Sequence, residues 1–405
     1  MSLPAADTEH ESSADKTLPS PSGEHAVKTL NAGAPHRTTI LPRVEWEGEK
    51  PKLAATHRLR FEELGLLGEG GMGEVMLVKD HDIERTVALK RIPPAADLGA
   101  ILRFVEEIRT IGRLEHPNIM PVHDVGVDEN GRYYFVMKHL RGETMETIIA
   151  KLRAGDREAH ARYPFSVRIQ IFLGVLNAIA YAHREGFLHR DLKPANIMVG
   201  PYGEVTVLDW GLARKLAARD EAVTPPANPR TGTVLETQLG VVMGTPLYMC
   251  PEQARGAHDQ LDQRSDLYSL AVLFHEFLYL EHYLAGRESI AEVLDGVRTV
   301  APTVFSIKQH PTQPPVPAEL GWFVVKGMSK DPAQRYQSAD EMVDMLQRIV
   351  RGEFRVQCAQ TFAKRLLREL ACAVDKAPVG TIAGMGVVGA LALTGVVMAV
   401  LKLMS

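Results

Sequence analysis

Asp191, Lys193 and Asn196 stand close together in "GFLHRDLKPANIMVG", residues 186–200. Leu188 leads into the cluster, and Ile197, Met198 and Val199 follow it as a strand-like run. A solvated surface turn needs no such apolar anchoring, so the cluster is held for a purpose. Transfer of a phosphoryl group to a hydroxyl needs a group that orients the hydroxyl and accepts its proton. It also needs cations on the phosphate oxygens and ligands for a metal ion. Mg2+ takes oxygen ligands, usually one or two carboxylates together with phosphates and waters. Asp191 suits the proton-accepting role, Lys193 the charge role and Asn196 one metal-ligand role. A further carboxylate is required, and Asp209 supplies it at the end of the apolar "VTVLDWG".

Two upstream segments fit the same chemistry. "GEGGMGEV" runs from Gly68 through Glu69, Gly70, Gly71, Met72 and Gly73 to Val75, a GxGxxGxV arrangement. Glycines let a backbone turn come close to phosphate oxygens and offer its N–H groups to them. Taken alone, the pattern is equally a structural turn. It lies between two strand patterns, which argues against a dinucleotide-binding fingerprint, where a helix follows. Lys90 ends the apolar "VALK" and by itself reads as a solvated edge residue. Glu107, however, stands in a helical pattern among residues that otherwise point into a core, so an ammonium–carboxylate pair gives both a reason to be there.

The elements that must position these groups are legible in outline. "GEVMLVKD", "RTVALKRI" and "RYYFVMKHL" read as strands. Ile101, Phe104, Val105, Ile108, Ile111 and Leu114 recur at helical spacing. Beyond Ser166 long apolar helices dominate, notably "SVRIQIFLGVLNAIAYAHREG" and "SDLYSLAVLFHEFLY". The expected class is α+β, a strand-rich small lobe followed by a helical large lobe. Residues 1–58, rich in Pro, Ser, Glu, Ala and Thr, are expected to be a disordered tail. With 45% hydrophobic and 24% charged residues the chain as a whole has an ordinary globular composition. A formal charge of -4 excludes bulk attraction to nucleic acid. The three cysteines, Cys250, Cys358 and Cys372, make no disulfide framework and point to a reducing compartment.

In order, these motifs resemble the eukaryotic-like Ser/Thr protein kinases of bacteria, over about residues 59–352. The resemblance implies the bilobal kinase fold, ATP and Mg2+ (or Mn2+) as cofactors, and protein substrates bearing Ser or Thr. By that analogy Gly68, Glu69, Gly70, Gly71, Met72, Gly73 and Val75 cover the nucleotide and Ala88 meets the adenine. Lys90 pairs with Glu107, and Met137 leads into a hinge of Lys138, His139 and Leu140. The lysine two residues after Asp191 resembles the Ser/Thr class, and Thr245 of "GTPLYMCPE" would help seat an aliphatic hydroxyl. Glu252 and Arg335 match a structural ion pair of the large lobe, and Asp266 matches an acid that braces the catalytic loop. Trp210 stands where the family has phenylalanine and Cys250 where it has alanine; neither change removes a chemical group. A scaffolding pseudokinase conflicts with the complete catalytic set, and a small-metabolite kinase conflicts with the complete "GTPLYMCPE".

The resemblance also implies regulation. Arg190 would receive a phosphate from the activation segment, with Thr237 the first candidate and Thr233 and Thr231 next. Beyond the kinase, residues 353–378 read as a basic amphipathic helix that would either lie at the lipid surface or pack on the kinase. Val379–Leu401 is 23 residues without a charge, about 34 Å as a helix and enough to cross a hydrocarbon core of about 30 Å. Lys364, Arg365, Arg368 and Lys376 precede it, which would keep the kinase cytoplasmic at a single-pass inner-membrane anchor. Only residues 402–405 follow, so input is expected from the cytoplasm, laterally within the membrane, or from local concentration alone. Gly380 and Gly384 have GxxxG spacing, which would allow a homodimer.

Overall fold

A computed structural model describes residues 38–54, 58–70, 73–215, 246–257, 260–302, 310–353 and 358–377, together with Thr394. Strands β1 (Arg43–Glu47) and β2 (Lys50–Ala54) form an antiparallel hairpin ahead of the small lobe. The lobe itself is a five-stranded antiparallel sheet in the order β3-β4-β5-β7-β6. These strands are β3 (Phe61–Gly70), β4 (Gly73–Asp80), β5 (Arg85–Arg91), β6 (Val122–Val127) and β7 (Tyr133–Lys138). Alternation gives the sheet two faces. Val78, Val87, Leu89, Tyr134 and Val136 pack on one of them. Ile92, Phe104 and Phe135 pack on the other, where helix α1 (Leu98–Ile111) lies. Asp97 caps α1 by accepting from the Ala100 N–H at 2.7 Å, the usual role of an Asp at this position.

The large lobe begins with β8 (Glu143–Thr144), α2 (Met145–Arg153), α3 (Arg157–Arg162) and α4 (Phe165–Arg184). The short strands β9 (Phe187–Leu188), β10 (Ile197–Val199), β11 (Val205–Val207) and β12 (Arg214–Lys215) follow. Next come α5 (Pro251–Ala254), α6 (Gln263–Tyr279), α7 (Ile290–Thr299), α8 (Ala318–Gly327), α9 (Ala339–Val350) and α10 (Ala359–Lys376). Helices α4 and α6 form the centre, with Phe172 and Phe274 stacked at 4.0 Å between ring centroids and Phe323 edge-on to both. Helix α4 is the one described helix long and apolar enough to cross a membrane. More than half of its apolar window is buried inside the lobe, so it is a core helix.

Two outcomes differ from, or go beyond, the sequence reading. Residues 38–54, placed by composition in a disordered tail, carry the β1–β2 hairpin, and Thr38 bridges to Leu59. The Ile40 and Leu41 N–H groups donate to Asp82 Oδ1 at 2.8 and 3.0 Å. Backbone pairing and a distant carboxylate hold this segment, and average composition registers neither. The expected helix after the kinase is present as α10. The uncharged Val379–Leu401 lies outside the described residues except for Thr394, which is helical.

Candidate active site

The glycine-rich motif spans the β3–β4 turn. Gly68 pairs with Val75, Glu69 with Glu74 and Gly70 with Gly73; Gly71 and Met72 lie outside the described residues. Gly73 has φ +122, and a Cβ there would sit 2.0 Å from the Arg91 carbonyl oxygen. Only glycine fits, so β4 can come tightly against β5 here. Ala88 is buried in β5 opposite Met137 of β7. Strand β7 ends at Lys138, and His139 and Leu140 continue outside any ladder, as a hinge requires.

Lys90 Nζ donates to Glu107 Oε1 at 2.6 Å, linking β5 to α1. Both side chains are largely enclosed, and the Lys90 ammonium also lies over the Phe135 ring. Burial pushes the Glu107 carboxyl above the usual range, against the pull of Lys90; the charge of Asp209 pushes it up further. Gly211, two residues after Asp209, lines one small cavity together with Glu107, so the Asp209 segment runs beside the pair.

The loop between β9 and β10 carries the cluster singled out in the sequence. Lys193 Nζ donates to Asp191 Oδ2 at 2.6 Å. Asn196 Nδ2 donates to the Asp191 carbonyl at 2.9 Å and to Asp191 Oδ2 at 3.3 Å. With its amino group so committed, Asn196 keeps its amide oxygen for another partner. The Leu208 N–H donates to the Asn196 carbonyl at 2.8 Å, which fixes the segment that leads from β11 to Asp209 beside the loop. Asp209 and Arg190 both adopt left-handed backbone, φ +57 and +68. Such conformations cost about 1–3 kcal/mol each and gather at functional sites.

Asp266 of α6 anchors this arrangement. Its buried carboxylate accepts from the His189 and Arg190 N–H groups, each at 2.9 Å, and from His183 Nε2 at 2.8 Å. Burial alone would raise its pKa, but the His183 hydrogen bond, the two neighbouring imidazoles and the Arg190 N–H outweigh burial and hold the carboxyl below its usual range. His189 Nε2 reaches the Leu208 carbonyl at 3.1 Å while its Nδ1 accepts from the Asp191 N–H at 3.3 Å, so the ring proton belongs on Nε2. Trp210 is buried with its ring 4.6 Å from that of His189. An aromatic group therefore fills the position where phenylalanine was expected.

Glu252 and Arg335 form a two-pronged buried bridge at 2.7 and 3.2 Å. Arg335 also donates to the carbonyls of Ser329, Lys330 and Arg264. Burial opposes ionisation of Glu252, yet the Arg335 hydrogen bonds win and lower its pKa. Cys250 caps α5, and burial pushes its thiol up to about 12, so it is an inert packing group. Thr245, Thr231, Thr233 and Thr237 lie outside the described residues, as do Gly71 and Met72.

Sequence reading missed three participants. His183 is one of fifteen scattered histidines, and nothing local marks it as the partner of Asp266. His189, inside the quoted motif itself, ties Asp191 to Leu208. Gln253 donates from its side chain to the Arg190 carbonyl at 3.2 Å, joining α5 to the loop. The donor set suits a hard divalent ion: Asn196 and Asp209 offer an amide oxygen and one carboxylate. Among the described residues no group of three or more His, Cys, Asp or Glu could cage a metal alone.

Residues 61–346 match the family described as the protein kinase domain. A probable serine/threonine-protein kinase of Streptomyces coelicolor is 36% identical over 290 residues, covering 70% of this chain and 39% of the relative. The serine/threonine-protein kinase PknB of Mycolicibacterium smegmatis is 36% identical over 303 residues, 73% of this chain and 43% of its own length. PknD of Protochlamydia amoebophila is 33% identical over 317 residues, 74% and 30% respectively. The chain therefore spans less than half the length of these relatives. The glycine-rich motif, the Lys90–Glu107 bridge, the Asp191 loop and the Glu252–Arg335 pair all lie within the matched residues, and the chain belongs to the protein kinase domain family.

Proposed function

We propose that this chain transfers the γ-phosphoryl group of ATP to serine and threonine hydroxyls of proteins. The observation that supports it best is the linked set of short bonds at the lobe junction. Lys90 is held by Glu107, Asp191 is held by Lys193 and Asn196, and the carbonyl of Asn196 is tied to the segment of Asp209. In this reading the glycine turn of Gly68, Gly70 and Gly73 covers the phosphates, and Lys90 reaches the inner ones. Asp191 orients the substrate hydroxyl and takes its proton. The hydroxyl oxygen forms a bond to the γ-phosphorus, the bond from that phosphorus to the bridging oxygen breaks, and ADP leaves with the electron pair. Lys193 stays beside the transferred group and balances its charge. Asn196 and Asp209 would hold Mg2+ (or Mn2+), which neutralises charge on the phosphate oxygens. Thr245 would complete the seat for a small aliphatic hydroxyl.

The reading extends to regulation and place. A phosphate on Thr237, Thr233 or Thr231 would be received by Arg190 and order the activation segment through new charge-assisted bonds. Val379–Leu401 would anchor the chain in the inner membrane with the kinase in the cytoplasm, and Gly380 and Gly384 would allow pairing within the bilayer. The test uses purified chain, Mg2+ and γ-labelled ATP. Incorporation into the chain and into a Ser/Thr-containing protein is expected, abolished in Asp191→Asn and restored by neither metal. Labelling unchanged in Asp191→Asn, or absent from the unaltered chain with either metal, refutes the assignment. Peptide mapping of the labelled chain tests the three threonines.

A further inference from the structure

Helix α10 is packed the opposite way round from an ordinary surface helix. Its polar side faces the large lobe. Thr361 is fully buried, accepting from the Cys358 N–H and donating to the Cys358 carbonyl, both at 2.9 Å. Lys364 Nζ donates to both carboxylate oxygens of Glu319 on α8 at 2.9 Å. Arg368 lies 3.8 Å from Glu353 and covers Gly352 closely enough that a Cβ there would meet its Cδ at 2.8 Å. The apolar side faces outward, with Phe362, Leu366 and Leu367 exposed by 56, 46 and 67% and Ala363 exposed between them. An amphipathic helix gains stability by burying its apolar stripe. Here the contacts with the lobe come from Thr361, Lys364 and Arg368 on the polar side, and the apolar side is left facing outward.

We infer that this outward face of α10 lies on the cytoplasmic surface of an anionic lipid bilayer and so fixes how the kinase stands on the membrane. The inference rests on the membrane-span reading given above. Helix α10 and Ala377 bring the described chain to within two residues of Val379, where the uncharged stretch begins. At about 3.3–3.6 Å per residue, two residues span at most about 7 Å. The end of α10 is thereby confined to the headgroup layer, the depth at which amphipathic helices bury their apolar faces by about 5–10 Å. The charge bias of the helix sequence is the one expected beside the cytoplasmic end of a span. Lys364, Arg365, Arg368 and Lys376 outnumber Glu369 and Asp375 on the helix. A groove of about 380 Å³ beside it is lined by Arg348, Arg365 and Arg368 together with Glu353 and Glu369. Neither alternative in the sequence reading is excluded by the other: α10 packs on the kinase with one face and offers the opposite face to lipid.

The test uses the full chain, carrying Cys358→Ser and Cys372→Ser and a nitroxide at Leu367→Cys, in phosphatidylcholine vesicles with or without phosphatidylglycerol. Cys250 is buried and stays unlabelled. A second chain labelled at Tyr202→Cys, a highly exposed loop position, is the aqueous reference. Position 367 is expected to favour oxygen over a water-soluble nickel complex in relaxation enhancement, the inverse of position 202, and more so with phosphatidylglycerol. Nickel access at 367 equal to that at 202 overturns the inference, as does dipolar broadening that places 367 against a second copy. Resistance to alkaline carbonate extraction reads the span separately. A resistant chain with an aqueous 367 loses only the α10 inference. An extractable chain whose 367 enters lipid in anionic vesicles loses only the span.

Discussion

Asp266→Asn tests the claim that α6 holds the catalytic loop by its backbone. The native carboxylate takes three donors, two of them the consecutive N–H groups of His189 and Arg190, in a setting almost closed to water. An amide keeps one acceptor oxygen but turns an NH2 group towards a donor. At least one bond to a charged acceptor is lost, about 1.5–3 kcal/mol, and a buried N–H is left unpaired, about 1–3 kcal/mol. Part of each loss is shared, so a net destabilisation of about 2–4 kcal/mol is expected, against a total stability of about 5–15 kcal/mol. The variant should still fold. Because Arg190 adjoins Asp191, its shift should reduce kcat while the KM for ATP, set largely by the small lobe, changes little. Urea unfolding and steady-state phosphorylation give the two readouts. The depressed Asp266 pKa adds a pH signature. Its contribution to stability is present above the carboxyl's unfolded value and is lost as pH falls through the folded one, so the gap between native and variant should narrow in acid. A stability change under about 0.5 kcal/mol together with an unchanged kcat would refute the reasoning.

Lys90→Met should abolish transfer and leave Glu107 buried without its cation. Because burial already raises the Glu107 pKa, the variant should become less stable as pH rises through that group's unfolded pKa, as thermal unfolding across pH would record. Glu252→Ala should lower stability by about 3–5 kcal/mol by stranding a buried guanidinium, the three carbonyl acceptors of Arg335 keeping the loss near the lower end; loss under about 1 kcal/mol in urea would contradict this. Gly73→Ala should weaken nucleotide binding and destabilise the β3–β4 turn, since the new Cβ meets the Arg91 carbonyl at 2.0 Å, and a nucleotide titration matching the unaltered chain would remove the steric argument.

The loop of Asp191, Lys193 and Asn196 was readable because its contacts are local. Asp191, Lys193 and Asn196 are so near in sequence that apolar flanks alone place them together. The Lys90–Glu107 pair needed a further step, combining a strand ending with a helical period, and the observed 2.6 Å contact agrees with that reading. Trp210 shows how a departure in sequence can be harmless in space, since it packs on the same histidine that holds the loop. The early hairpin was invisible because exposed strands such as "RVEWE" carry no buried stripe and are held by backbone pairing.

Sequence alone determined the two-lobe α+β order, the grouping of Asp191, Lys193 and Asn196 in one loop and the existence of an amphipathic segment near residue 360, because each is encoded by neighbours or by a short period. Only the tertiary structure decided that His183 and Asp266 brace the loop, that Gln253 reaches Arg190, and that α10 turns its polar face inward. Those depend on which surfaces meet after the chain has closed over long separations. A period along a helix reveals that two faces exist, but the choice of which one is buried depends on complementary groups elsewhere, here Glu319 and Glu353.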